Sequence, residues 1–441
     1  MVSFTLADRS GAKSLSNIQK VINKSIENID RELQGINHAI HSNPELGYAE
    51  FEAHKNIVAL LKSQEIKVIP HAYGLETAFE AEYGQGGRVV AFNAEYDALP
   101  GIGHACGHNL ITTGSLAAFF GVVGMLKKDS IPGRVRVIGT PAEEGGGGKI
   151  KLIDAGAYKD VDACLMTHPM AGHMFATKEQ FAGISYGTSV ASAKFKAIFH
   201  GRTAHAAAAP QDGINALDSA VLAYNGISML RQQILPAQRI HGIILEGGEK
   251  ANVIPSQALM DYNVRGSSLK ETKVLQKRVV NCFEGAAIAT GCKVGFEETN
   301  NYAELVPSRG LCNAYSSFML DLGFPQLDKV TDIDNPPYAG SYSTDQGNVS
   351  YVCPSIHPVY IIPADDGASN HTKQFTKAAI KDEAYRLTIA TAQGMAATAW
   401  KLLSDDEFAG SVKSEFEQTK ADREEDMKTL PDIFNGHLVS L

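Results

Sequence analysis

Residues 88–109 read RVVAFNAEYDALPGIGHACGHN. The apolar run 88–92 leads into two acids and predicts a buried strand that delivers Glu95 and Asp97 at its C-terminal end. Pro100, Gly101 and Gly103 break that strand, and the loop beyond them carries His104, Cys106 and His108 at two-residue spacing. Five side chains able to ligate a metal thus fall within fourteen residues. Soft thiolate, borderline imidazole and hard carboxylate in one cluster suit zinc, with manganese or cobalt as alternatives.

Two segments further on repeat the placement. The strand expected at Gly133–Gly139 runs into Thr140-Pro141-Ala142-Glu143-Glu144 and then four glycines, Gly145 to Gly148. Adjacent glutamates on an extended backbone point in different directions, so one can bind a metal while its neighbour faces the reacting water. The glycines let the backbone pass close to a ligand without a Cβ clash. The apolar stretch 163–166 is followed in the same way by Thr167-His168-Pro169. In sheets of parallel strands, sites lie beyond the C-terminal strand ends.

Around these segments the pattern is α/β. Helical spacing covers 16–66, interrupted by a turn at His41-Ser42-Asn43-Pro44-Glu45-Leu46-Gly47, and strands are expected at Lys67–Pro70 and 77–83. An apolar helix at 109–127 and a helix resuming at 149–155 alternate with the strands, which implies a mostly parallel sheet covered on both faces. Period and composition then shift. Residues 187–303 run strand, helix, strand, strand, helix, strand, with strands at 192–200, 239–245 and 293–298 and helical stretches at 213–233 and 269–289. This order predicts a small two-layer α+β domain inserted between halves of the first, giving 1–186, 187–303 and 304–441 as the divisions. The α/β pattern returns with a strand at Val359–Ile362, then His371, a helix over 375–403 and a solvated helical tail at 405–428.

Composition bounds the partners. The chain has 441 residues, too many for one core, with 44% hydrophobic and 20% charged residues. A formal charge of −9 with no basic block argues against nucleic acid or an anionic membrane as partner. The six cysteines are scattered without paired spacing, as in a reducing compartment, and the N-terminus carries no signal-peptide pattern. No stretch is expected to be a membrane span, the longest apolar segment, 116–126, being broken by Gly121 and Gly124. A cytoplasmic enzyme is the expectation.

Taken together, Glu-x-Asp-Ala-Leu-Pro, His-Ala-Cys-Gly-His, Glu-Glu-Gly-Gly-Gly-Gly, the histidine after a strand, Gly-Arg-Thr-Ala-His at 201–205 and Ser-Asn-His-Thr at 369–372 resemble the metallopeptidase family of aminoacylases, carboxypeptidase G and auxin-conjugate amidohydrolases. Within it the chain is most similar to the β-alanyl-lysine type dipeptidase subgroup, from the turn at 41–47 to the helix after His371. The resemblance implies a zinc-exopeptidase-like α/β fold with an inserted lid that also forms a homodimer. It implies one or two divalent metal ions held by Cys106, His108, Glu144, His168 and His371, with Glu143 as general base and Asp97 supporting the metal from behind. His205 would reach the oxyanion from the partner subunit, and Asn252 and Arg265 would contact a substrate carboxylate. The implied reaction is hydrolysis of an amide in a dipeptide or N-acyl amino acid. A biosynthetic or general amidase and an inactive binding homologue on the same fold are the alternatives. Two positions depart from many relatives: Glu95 replaces an aspartate, and Asn109, which carries no charge, replaces another.

Overall fold

The computed structural model describes residues 16–172, 181–327, 340, 342–428, 430, 432–434 and 436–437. The chain forms two compact units. The first spans Met1–Thr188, Val306–Ala339 and Asn348–Gln418, and the second Ser189–Leu305, Gly340–Gly347 and Thr419–Leu441.

In the first unit a six-stranded sheet runs in the order Lys67–Pro70, Phe79–Gln85, Gly133–Gly139, Val89–Ala94, Ala163–Leu165, Ser355–Ile356. The last four strands are mutually parallel, while the first two form an antiparallel edge. Val89–Ala94 is buried at every position, as a parallel strand covered on both faces must be. Its two-residue period divides the core. Val90, Phe92 and Ala94 face one cluster of helical side chains, and Val89 and Ala91 face the other, with Leu152 and Tyr158. A second, three-stranded sheet places His168–Ala171 parallel to Val359–Ile362, with Gly183–Ile184 antiparallel on the other side.

The helix His108–Asp129 differs from expectation. At 22 residues it is long and apolar enough to cross a membrane, yet 94% of its apolar window is buried inside the protein. Helices 17–27 and 382–404 and the sheet surround it, so it is hydrophobic all round as a core helix. The helix expected over 375–403 is two, Lys373–Ala378 and Asp382–Ser404, the first capped by the Thr372 hydroxyl accepting from the Phe375 N–H.

The second unit is a four-stranded antiparallel sheet in the order Lys293–Tyr302, Ala191–His200, Gln257–Gly266, Arg239–Glu246. Phe195, Ala197 and Phe199, with Met260, Tyr262 and Val264, share one core with the helices Ala216–Leu230 and Leu269–Thr290. Asn215 and Ser268 cap those helices through side chains that accept backbone N–H groups. The tail contributes as well, contrary to the solvated helix expected. In Asp406–Lys428, Ala409, Val412 and Phe416 are buried within the first unit, whereas Phe434 beyond it belongs to the second and sits 5.3 Å from the Phe296 ring and 5.9 Å from Phe195. Local spacing could not assign Phe434 to the inserted unit, because its ring partners lie more than a hundred positions earlier.

Phe283 is the hub of that aromatic core, 5.2 Å from the Tyr262 ring and 5.9 Å from Phe296. Phe283→Ala should cost about 3–5 kcal/mol, read as a lowered denaturant midpoint with an unchanged slope.

Candidate metal centre

The strand Val89–Ala94 ends at a buried tripeptide, Glu95-Tyr96-Asp97. After a turn closed by the Leu99 N–H donating to Gly103, the chain returns as His104-Ala105-Cys106-Gly107 and enters the helix at His108. Gly107 has φ +81°, and a Cβ there would lie 2.6 Å from the Pro169 ring, so only glycine lets this helix start so close to the His168 segment.

Asp97 joins the pieces. Its Oδ1 lies 3.0 Å from His108 Nδ1, and its Oδ2 accepts the Glu144 N–H at 2.9 Å. Glu144 Oε1 lies 3.9 Å from His108 Nε2 and 3.5 Å from His371 Nε2, while Cys106 Sγ is 3.3 Å from His168 Nε2. His371 adopts a left-handed backbone, φ +67°, that non-glycine residues seldom take. It is held there by its N–H donating to the Ala105 carbonyl at 2.8 Å, and its neighbour Asn370 donates to Pro169 O at 3.1 Å. Three of the groups of ligand atoms that lie within 4.8 Å of one another are built from these residues and Glu143: Cys106, His108 and His168; Cys106, Glu144 and His371; His108, Glu143 and Glu144.

The electrostatics are those of a site short of positive charge. Burial pushes the Asp97 carboxyl up, but the His108 charge and hydrogen bond outweigh it and hold Asp97 below the ordinary range. Burial likewise disfavours charge on His108, and Asp97 more than reverses this. Burial raises the Cys106 thiol well above its ordinary value, and Glu144 adds to the effect. Burial lowers His168 to about 4, so it is neutral. Its Nδ1–H donates to the Pro169 carbonyl at 2.9 Å, which leaves the Nε2 lone pair towards Cys106. Two buried atoms at the centre, His108 Nε2 and Glu144 Oε1, have no hydrogen-bond partner. An unpartnered ring nitrogen and carboxylate oxygen converging with a thiol and two more imidazoles make, once deprotonated, the donor set of a zinc-type divalent cation, and the residues fit one.

Of the residues singled out in the sequence, Asp97, Cys106, His108, Glu143, Glu144, His168 and His371 all meet here in the first unit. His104 does not: it turns away as a buried ring 6.3 Å from His41, held neutral by burial with its pKa near about 3. His205, Asn252 and Arg265 belong to the second unit. His205 and Asn252 are exposed on adjoining loops, where Ala206 N–H donates to Asn252 O at 3.1 Å, and Arg265 is half-buried in the strand Gln257–Gly266. Asn109 loses its anomaly. Its amide donates to Asn37 Oδ1 at 2.7 Å and to the Ala379 carbonyl at 2.9 Å, a double donation no carboxylate could make. Two residues escaped sequence reading: Lys149, whose Nζ meets Glu95 Oε1 at 2.5 Å, and His357, whose ring lies 5.5 Å from His168. A lysine at helical spacing gives no local sign of burial. The pairing of His357 with His168 is across 189 positions and gives none either.

Comparison with known proteins agrees with this geometry. The peptidase dimerisation domain model matches residues 189–290. The chain is 41% identical over 423 residues to the Xaa-Arg dipeptidase of Mus musculus, covering 92% of this chain and 94% of that one. It is 40% identical to the Xaa-Arg dipeptidase of Homo sapiens, covering 89% and 91%. The fold matches a crystal structure from Bacillus subtilis described as a dinuclear metal binding peptidase of the M20 family, at a TM-score of 0.61 and 21% identity over 86% of this chain and 99% of that one.

Because Asp97 orients His108 and the Glu144 backbone together, Asp97→Asn should weaken divalent-metal binding about 10–100-fold. Competition with a chromogenic chelator measures this; an unchanged affinity would show that the ligands are held without it.

Proposed function

The chain belongs to the M20 family of metallopeptidases, and from that premise we propose that it cleaves dipeptides with a free carboxylate and a basic C-terminal residue, at a centre held by Cys106, His108, Glu144, His168 and His371. The enzyme is a metal-dependent hydrolase of amide bonds. The observation that carries the residue assignment is the convergence of five ligand-type side chains, two of which, His108 and Glu144, bring buried atoms with no hydrogen-bond partner. The preference for a basic C-terminal residue rests on the dipeptidases of Mus musculus and Homo sapiens, which act on Xaa-Arg. The thiolate and imidazole content favours zinc, with manganese or cobalt as substitutes.

When bound, the divalent metal supplies Lewis acidity that activates water and polarises the amide carbonyl. The rest falls to the chain. Glu143, 8% exposed and adjacent to Glu144, takes the proton of the attacking water and delivers it to the departing amine. Asp97 keeps the His108 ring in one orientation, and the Pro169 carbonyl does the same for His168. His205 donates to the developing oxyanion from the partner subunit. Asn252 and Arg265 bind the substrate carboxylate, for which the planar guanidinium offers two parallel hydrogen bonds.

Support for a homodimer comes from the second unit. Its edge strand Arg239–Glu246 exposes Ile243, Ile244 and Leu245, and the helix Ala216–Leu230 exposes Val221, Leu222, Tyr224 and Met229. An apolar sheet edge left open invites pairing with another strand, and a two-fold axis would join two such edges in one antiparallel ladder.

Glu143→Gln keeps shape and removes basicity, so turnover should fall about 10²–10⁴-fold while metal content by elemental analysis stays near wild type. Wild-type turnover would move the base elsewhere. Arg265→Lys should lower kcat/KM for the free dipeptide about ten- to hundredfold and leave its C-terminal amide little affected; equal losses on both would deny Arg265 the carboxylate. Ile244→Lys should convert the dimer to monomer in light scattering, and a persistent dimer would place the contact on another surface.

A further inference from the structure

We propose that Lys149 is a positioning residue that keeps Glu95 out of the metal's ligand set. The inference rests on the ligand assignment proposed above. Glu95 follows the central strand and is 1% exposed. Its Oε2 lies 3.4 Å from His108 Nε2, the buried ring nitrogen that faces the centre. A carboxylate at that distance is an additional oxygen donor within reach of any cation bound there, and carboxylates bind such cations readily. What opposes this is an ion pair on the other oxygen. Lys149 Nζ donates to Glu95 Oε1 at 2.5 Å, with both side chains sealed from solvent.

The backbone that carries the lysine is tightly packed. Lys149 is the second residue of the helix Gly148–Asp154, directly after the glycine run that bears Glu143 and Glu144. A Cβ on Gly148 would stand 1.8 Å from the Pro141 carbonyl, so this segment is pressed onto the end of its own strand. Two ties therefore link the same pair of segments: Asp97 with the Glu144 N–H, and Glu95 with Lys149. They differ in what they leave for the metal. Asp97 orients a ligand, whereas Lys149 occupies a carboxylate that would otherwise become one. In low dielectric an ammonium 2.5 Å away competes strongly with a bound cation for the carboxylate.

The test uses the full-length protein loaded with cobalt(II), whose visible absorption reports coordination number and donor type. Lys149→Met should free Glu95 to bind, weakening and shifting the visible bands towards a higher-coordinate, more oxygen-rich site. Affinity against a competing chelator should rise about tenfold, in the range by which groups around a metal tune it, while turnover falls. The double variant Glu95→Gln/Lys149→Met should return the spectrum and affinity to within about threefold of wild type, as expected once the carboxylate is gone. A merely structural lysine would lower the melting temperature and leave the spectrum and affinity unmoved, which would overturn the proposal. If Lys149→Met does not fold, Glu95→Gln alone decides. With Lys149 in place its cobalt spectrum should match wild type, and loss of an oxygen donor would show that Glu95 was a ligand all along. Failure of the wild-type protein to bind cobalt would instead defeat the ligand assignment on which the inference rests.

Discussion

One buried carboxylate, Asp97, holds the His108 ring and the Glu144 backbone at once. A charge in that position is costly unless its lone pairs are filled, and filling them requires three separate chain segments to arrive within 3 Å of one atom group. The sheet makes this feasible. Val89–Ala94 and Gly133–Gly139 are adjacent parallel strands in register, so the acids after the first and the glutamates after the second leave the sheet side by side. Ala163–Leu165, the next parallel strand, sends His168 to the same end. His371, after Val359–Ile362, is delivered by a loop stitched to Ala105 and Pro169. A parallel sheet concentrates its loops at the C-terminal ends of its strands, and the side chains that converge on this centre are carried there.

The same logic explains what could be read from the sequence. Strand ends followed by ligand residues are local signals, and so are the two-residue alternation of 191–200 and the helical spacing of 269–290. Each was legible because the residues concerned are neighbours in the chain. Contacts made across the chain were not. Asn109 bonds Asn37, 72 positions away, and Ala379, 270 positions away. Lys149 and Glu95 are 54 positions apart. Phe434 joins an aromatic core otherwise built from 195–296. The helix His108–Asp129 shows the opposite failure: its composition is local and membrane-like, but its environment is set by helices and strands from elsewhere in the chain.

The second unit has its own economy. Its inner sheet face and two helices bury an aromatic cluster that holds no residue of the metal centre. The outer features are the informative ones. Bulky aliphatic residues on an edge strand are unfavourable in water and are a liability in a monomer. Their presence on a strand within a segment that matches a peptidase dimerisation domain gives that edge a physical reason to meet a second copy.

Glu95 and Asp97 stand two residues apart on one strand end, and they are treated in opposite ways. Asp97 is paired with His108, whose other nitrogen faces the centre; Glu95 is paired with Lys149, which has no lone pair for a metal. An ammonium has no lone pair when charged, so it cannot itself become a metal ligand. An imidazole has two nitrogens, so its pairing with Asp97 sets the direction in which Nε2 points. Anchoring a carboxylate on an imidazole therefore builds the centre outward, and anchoring one on a lysine closes it off. The two pairs together define how far the ligand set extends along this strand end, and they do so with side chains that need not touch the substrate.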